Sequence, residues 1–133
     1  MKNKFSTSWK SSKRPAKQRK YRHNAPLHIS QKFLSAHLSK ELRNKYGKRS
    51  MVVVKGDKVK IARGQFSGRE NKVERVDHKA IEVYVTGVDR TKKDGSKSIY
   101  PIHPSNLIIT ELNLDDKMRK TKLEKKAPSK EGK

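Results

Sequence analysis

The sequence predicts a mainly β protein: a small barrel preceded by short helices, followed by one further helix, and extended at both ends by basic segments. Three observations lead there. Apolar residues in the middle of the chain are largely β-branched, recur with period two, and are separated by Gly, Asp and Asn. Charge is divided unevenly: residues 1–50 carry 15 Lys or Arg and one acid, residues 51–116 carry 12 and 10, and residues 117–133 carry eight and two, so these segments hold +14, +2 and +6 of the total +22. With 133 residues, of which 31% are hydrophobic, one small core is the ceiling. A near-neutral centre between cationic ends reads as a globular unit with two arms.

Residues 1–24 form the first arm. No acid occurs from Met1 to Lys40 and few apolar groups stand in the first 20 positions, so the arm is expected to have no core to join and to need an anion. Fully extended, it would reach roughly 80 Å at about 3.3 Å per residue. His23-Asn24-Ala25-Pro26 reads as a turn, because proline disfavours helical geometry in the residue before it. Residues 25–50 then read as a short helical segment. Ile29, Phe33 and Leu34 suggest one amphipathic helix, and Leu38, Leu42 and Tyr46 a second, with Ser39 as N-cap and Gly47 as C-terminal stop.

Residues 51–112 form the barrel. Its runs are Val52 and Val54, Val59 and Ile61, Val73 and Val76, then Ile81, Val83 and Val85. Lys55-Gly56-Asp57 and the Arg63–Gly68 loop separate the early runs, and Asp94-Gly95 turns a hairpin between Val88 and Ile99. Five strands in about 60 residues favour a closed barrel, which leaves no exposed edge. Pro101 and Pro104 allow an edge strand or a turn there, and a last strand follows from Leu107 to Leu112. Residues 113–133 are a basic helix and tail: Asp115 and Asp116 precede Lys117, Arg119 and Lys120, a charge order that suits a helix dipole, and disorder is expected after Ala127.

Composition excludes several functions. No run approaches the roughly 18 apolar residues of a membrane span, and no signal-peptide h-region is visible. Without cysteine there is no disulfide, Cys-based zinc site or thiol nucleophile, which fits an intracellular protein but does not require one. For an enzyme the candidates are Asp115-Asp116 and five scattered histidines; the aspartates read better as helix N-terminal charges, and the histidines lack metal-ligand spacing. No catalytic residue, metal site or cofactor is expected.

The arm's chemistry separates the remaining partners. From Lys10 to Arg22 the cations are interrupted by Ser, Pro, Gln and Tyr, not by the apolar face of a membrane-surface helix, and Pro15 also departs from a transit peptide. Guanidinium and ammonium groups with stackable Trp9 and Tyr21 suit nucleic acid. Lys10, Lys13, Arg14, Lys17, Arg19, Lys20 and Arg22 are the candidate phosphate ligands, with Tyr21 and His23 anchoring the arm. A second candidate is the loop Arg63, Gly64, Gln65, Phe66, Ser67, Gly68 and Arg69, whose glycines free the backbone for positive φ and close approach of phosphate or ribose. Phe66 either stacks on a base or tucks into the barrel. Lys92 and Lys93 at the hairpin tip are further candidates, as is His103, which alternatively caps backbone between two prolines.

Residues Val54–Asp77, VKGDKVKIARGQFSGRENKVERVD, have the shape of a KOW motif: a glycine-acid turn, a strand, a glycine-bounded loop and a second strand. With the blocks Asn24-Ala25-Pro26, Leu38-Ser39-Lys40-Glu41-Leu42-Arg43 and Ile102-His103-Pro104-Ser105-Asn106, residues 13–126 resemble the archaeal and eukaryotic branch of universal large-subunit ribosomal protein twenty-four, twenty-six in the older eukaryotic naming. The resemblance implies an SH3-like barrel with basic extensions, bound to large-subunit ribosomal RNA near its 5′ region. It further implies a role early in assembly, a place near the nascent-chain exit, neighbouring large-subunit proteins and exit-docking factors as partners, and a cytoplasmic location. Asn71 stands where the motif often has glycine, so a left-handed turn is expected there, and His37 stands where relatives often have proline. The competing reading is a KOW-type transcription elongation factor, although such proteins pair the barrel with a separate globular domain where this chain has basic arms.

Overall fold

The computed structural model describes residues 5–124; the tail expected after Ala127 lies outside them. A 3-10 turn at Thr7–Trp9 is followed by α1 (Pro15–Asn24), α2 (Leu27–Phe33), β1 (Ser35–Leu38), α3 (Lys40–Tyr46), β2 (Ser50–Val52), β3 (Lys58–Ile61), β4 (Glu70–Asp77), β5 (Glu82–Thr91) and β6 (Lys97–Ile102). A 3-10 turn at Pro104–Asn106, β7 (Leu107–Glu111) and α4 (Lys117–Glu124) complete it. The strands form one mixed sheet in the order β2-β1-β7-β3-β4-β5-β6, antiparallel except for the parallel β1–β7 pair. Ala36 and Leu38 of β1 share one core with Val59, Ile61, Val73, Val83, Val85, Ile102, Leu107 and Ile109. Strands far apart in the ladder meet in one apolar centre, so the sheet is rolled into the mainly β, barrel-like form that the hydropathy pattern predicts.

Closure differs from the expectation. The ladder ends at β2 and β6, so the sheet keeps two edges. Pro101 lies on the β6 edge, where a missing N–H breaks no ladder bond. The runs with irregular spacing are explained by bulges. The register shifts between Val73 and Arg75, which lets both Val73 and Val76 face the core, and again between Tyr84 and Asp89. At the second shift Gly87 takes φ +75°, and β5 continues to Thr91 as one strand that includes Val88.

Several local expectations are corrected. The segment 25–50 is not wholly helical: Leu38 belongs to β1, with His37 exposed on the same strand, because β1 is completed by pairing with β7 some 70 residues away in the chain. Its second helix is otherwise as expected, with the Ser39 hydroxyl accepting from Leu42 N–H and Gly47 left-handed at φ +63°. Val53, not Val54, enters the core, since the chain leaves β2 at Val52 and Val53 N–H donates to Leu34 C=O. Asn71 needs no left-handed turn: it sits in β4 opposite Val59, whereas Ile81 is the sole non-glycine residue at positive φ among those described. The arm also departs from the unstructured expectation. Pro15 opens α1 at its first turn, where its missing N–H leaves no bond unmade, and Ala, Lys, Gln and Arg continue it. As a helix these ten residues span about 15 Å, which shortens the arm's reach.

The C-terminal helix is fastened by an ion pair that local pattern does not reveal. Arg119 in α4 is 5% exposed and Asp57 is 0% exposed. The guanidinium donates to both carboxylate oxygens at 2.6 Å and also to the carbonyls of Asn113 and Val52. Asp57 accepts in addition from Val54 N–H and Asn113 N–H at 2.9 and 2.8 Å, so the acid of the glycine-acid turn joins that turn, the end of β7 and α4.

Candidate nucleic-acid interface

Helix α1 contains no buried residue and no acid in its first turn. Lys10, Lys13, Arg14, Arg19, Lys20, Arg22 and His23 are exposed, and Lys17 is half-buried. Tyr21 is the one aromatic on this helix. Its ring lies 5.1 Å from that of Phe5 and 6.1 Å, edge-on, from that of Phe33 in α2, so it ties α1 to the body of the protein. Arg22 and His23 lie in the last turn, where the helix dipole favours positive charge.

The glycine loop holds its own shape. Ser67 N–H donates to Gly64 C=O and Gly68 N–H to Ile61 C=O, while Ser67 Oγ donates to Ala62 C=O. Gly64 and Gly68 have φ of +100° and +88°, and a side chain at either would meet only open space, so the backbone is accessible here. Arg63, Gln65 and Arg69 are exposed. Phe66 is half-buried against the core, with the Arg69 guanidinium 5.2 Å from its ring centroid and the Tyr100 ring at 5.4 Å. These are the contacts that packing in the barrel requires, and the ring stays only partly covered. Arg69 also donates to Gly87 C=O, which holds it across the β5 bulge.

His103 caps the turn that follows it. Its Nδ1 accepts from Ser105 N–H at 3.3 Å and lies 2.8 Å from Ser105 Oγ. The exposed residue nevertheless lines, with Arg63, Gly64, Phe66, Tyr100 and Pro101, a concavity of about 410 Å³. Lys92 and Lys93 line a neighbouring concavity of about 570 Å³ that shares Tyr100 and Pro101. Three groups of candidates that are separate in sequence, the glycine loop, the hairpin tip and His103, therefore meet on one face around β6, while α1 packs elsewhere through Tyr21 and Phe33. Arg90 and Tyr100, which the sequence does not single out, belong to that face. The hairpin is set by Asp94, whose carboxylate accepts from Ser96 Oγ at 2.6 Å and Ser96 N–H at 2.9 Å and is held below the usual carboxylate range by these two bonds.

Residues 12–126 match the family that unites the eukaryotic ribosomal proteins L26 with their archaeal L24 counterparts. The chain belongs to this family. It is 54% identical over 112 residues to the large ribosomal subunit protein uL24 of Methanoculleus marisnigri, covering 84% of this chain and 93% of the relative. The uL24 of Methanosphaera stadtmanae is 50% identical over 115 residues, covering 86% and 98%. Members of this ribosomal family are structural proteins and not enzymes. In keeping with that, Asp116 acts here as a helix cap, its carboxylate accepting from Met118 N–H and its carbonyl from Lys120 N–H. Among the described residues no helix is long and apolar enough to cross a membrane.

Proposed function

We propose that this chain is a structural constituent of the large ribosomal subunit that binds large-subunit ribosomal RNA through its two basic extensions and one face of the barrel. The observation that carries the reading is the identity of 54% and 50% to two large-subunit proteins over nearly their whole length. The arm, residues 1–24, acts mainly by neutralising phosphate, with Lys10, Lys13, Arg14, Lys17, Arg19, Lys20 and Arg22 as ligands and Tyr21 and His23 at its anchor. The face around β6 adds shape and backbone contacts from residues 63–69, Lys92, Lys93 and His103, and the basic segment 113–133 provides a second extension. The finer address is the 5′ region of that RNA, reached early in assembly and close to the nascent-chain exit, beside neighbouring large-subunit proteins and docking factors, in the cytoplasm.

The test is to tag the protein in cells and run the lysate on a density gradient at moderately high salt. Movement with the large subunit that survives the salt is the expected result. A protein that stays at the top of the gradient, or travels with polymerase, overturns the reading, and the latter outcome favours transcription elongation.

A further inference from the structure

Tyr100 stands at the junction of the two concavities of the β6 face, is 38% exposed, and has no part in the core. Phe66 leans on it at 5.4 Å with an interplanar angle of 53°, and Phe66 is itself seated against the core and covered by Arg69. One ring is thus a buttress and the other is the presented surface. The charge lining the two concavities is one-sided: Arg63 stands on the loop side and Arg90, Lys92 and Lys93 on the hairpin side, against one carboxylate, Glu82, which accepts from Tyr84 Oη. A supported aromatic ring between cations fits a flat, uncharged group with phosphate on both sides, which is an unpaired nucleobase within an RNA strand. Addition of a protein strand is disfavoured here, because Pro101 removes a donor from the β6 edge.

We propose that Tyr100 is a stacking platform for an unpaired RNA base, with Arg63 and the Lys92-Lys93 hairpin engaging the phosphates on either side of it. This rests on the RNA-binding reading above and names the element of RNA that the β6 face takes. A duplex buries its bases and presents no free face to the ring, so the face discriminates single-stranded from paired RNA.

The experiment measures affinity of the full chain for a short oligoadenylate single strand and for a blunt RNA duplex of equal length, at the same salt. Tyr100→Ala is expected to weaken single-strand binding about 5- to 100-fold, to leave duplex binding and the salt slope unchanged, and Tyr100→Phe to retain wild-type affinity. Tyr100→Leu, which keeps an apolar contact to Phe66, should lose single-strand affinity while unfolding at the wild-type temperature, and it carries the test where the alanine variant does not fold. Equal loss for single strand and duplex, or no loss in a folded Tyr100→Leu variant, overturns the platform while RNA binding by the wild type still stands. Wild-type protein that binds neither probe overturns the RNA-binding reading as well.

Discussion

Arg119 and the cations of α1 are the same chemistry in opposite surroundings. Arg119 is buried, makes four hydrogen bonds through its two terminal nitrogens while its Nε has no partner among the described residues, and faces a carboxylate that it neutralises. Arg19, Lys20 and Arg22 of α1 are exposed, on a helix without a buried residue and in a segment that has no acid at all. Removing two charges from water is costly and is offset only by close pairing, so the Asp57–Arg119 pair is intolerant of losing one member. Solvated cations cost the fold little and stay available to an outside anion. The contrast separates charge that holds this protein together from charge that attaches it to something else.

The sharpest way to break that comparison is to delete residues 1–24. The barrel should still melt cooperatively while RNA affinity falls and its salt dependence flattens. If the intact chain engages about six to ten phosphates, its affinity drops about 10³- to 10⁵-fold between 50 and 200 mM salt, and the truncated chain's drop is smaller. An unchanged slope would show that the arm does not carry the binding.

The reciprocal change is Arg119→Met, which leaves Asp57 buried without its cation. Chemical denaturation should show a loss of about 3–5 kcal/mol, with the RNA salt slope nearly unaltered. A loss below about 1 kcal/mol would place this pair with ordinary surface ion pairs.

Phe66→Ala tests the loop between these extremes. Since the ring is half-buried against the core, stability should fall by about 1–3 kcal/mol, less than the 3–5 typical of a large, well-buried ring. Single-strand RNA affinity should fall by no more than it does for Tyr100→Ala, since Phe66 acts through the ring it supports; a larger loss would make Phe66 itself the base-stacking residue.

The smallest expected effect is on pH dependence. Asp77 accepts from the backbone N–H groups of Ala80 and Lys79, and Asp94 from Ser96 side chain and backbone; both carboxyls are held below their ordinary value of 3.8. A depressed folded-state pKa contributes stability above the ordinary value that is lost as pH falls through the folded one. Thermal unfolding between neutral and strongly acidic pH should therefore show a slight acid-side decline, and Asp77→Asn with Asp94→Asn should shrink it. A decline of undiminished size in that double variant would assign it to other carboxylates.

Where a signal is local, sequence and structure agree. Ser39 and Gly47 bound α3 because a side-chain cap and a left-handed residue act within one turn. Asp94-Gly95 turns its hairpin for the same reason, with Gly95 at φ +81°. The failures are of another kind. SAHL, residues 35–38, is too short to declare a strand until β7 lies beside it. Pro15 in a cationic segment reads as a break, yet at the first turn of a helix it is tolerated, and Tyr21 finds Phe5 and Phe33 only once the chain has turned back. In the candidate interface, the cations and the glycine loop were legible from residue type and spacing. Tyr100 was not, because its value depends on Phe66 behind it and on two loops that approach from different strands.

By itself the sequence determined the mainly β class, the cationic ends around a near-neutral centre, the caps and turns, and the family. Each of these rests on composition or on contacts a few residues apart. Tertiary structure alone decided that the sheet keeps two edges, that Asp57 reaches across 62 positions to Arg119, and that the loop, the hairpin and His103 share one face. Those outcomes depend on burial and on long-range strand pairing, and neither acts until distant parts of the chain exclude water from one common core.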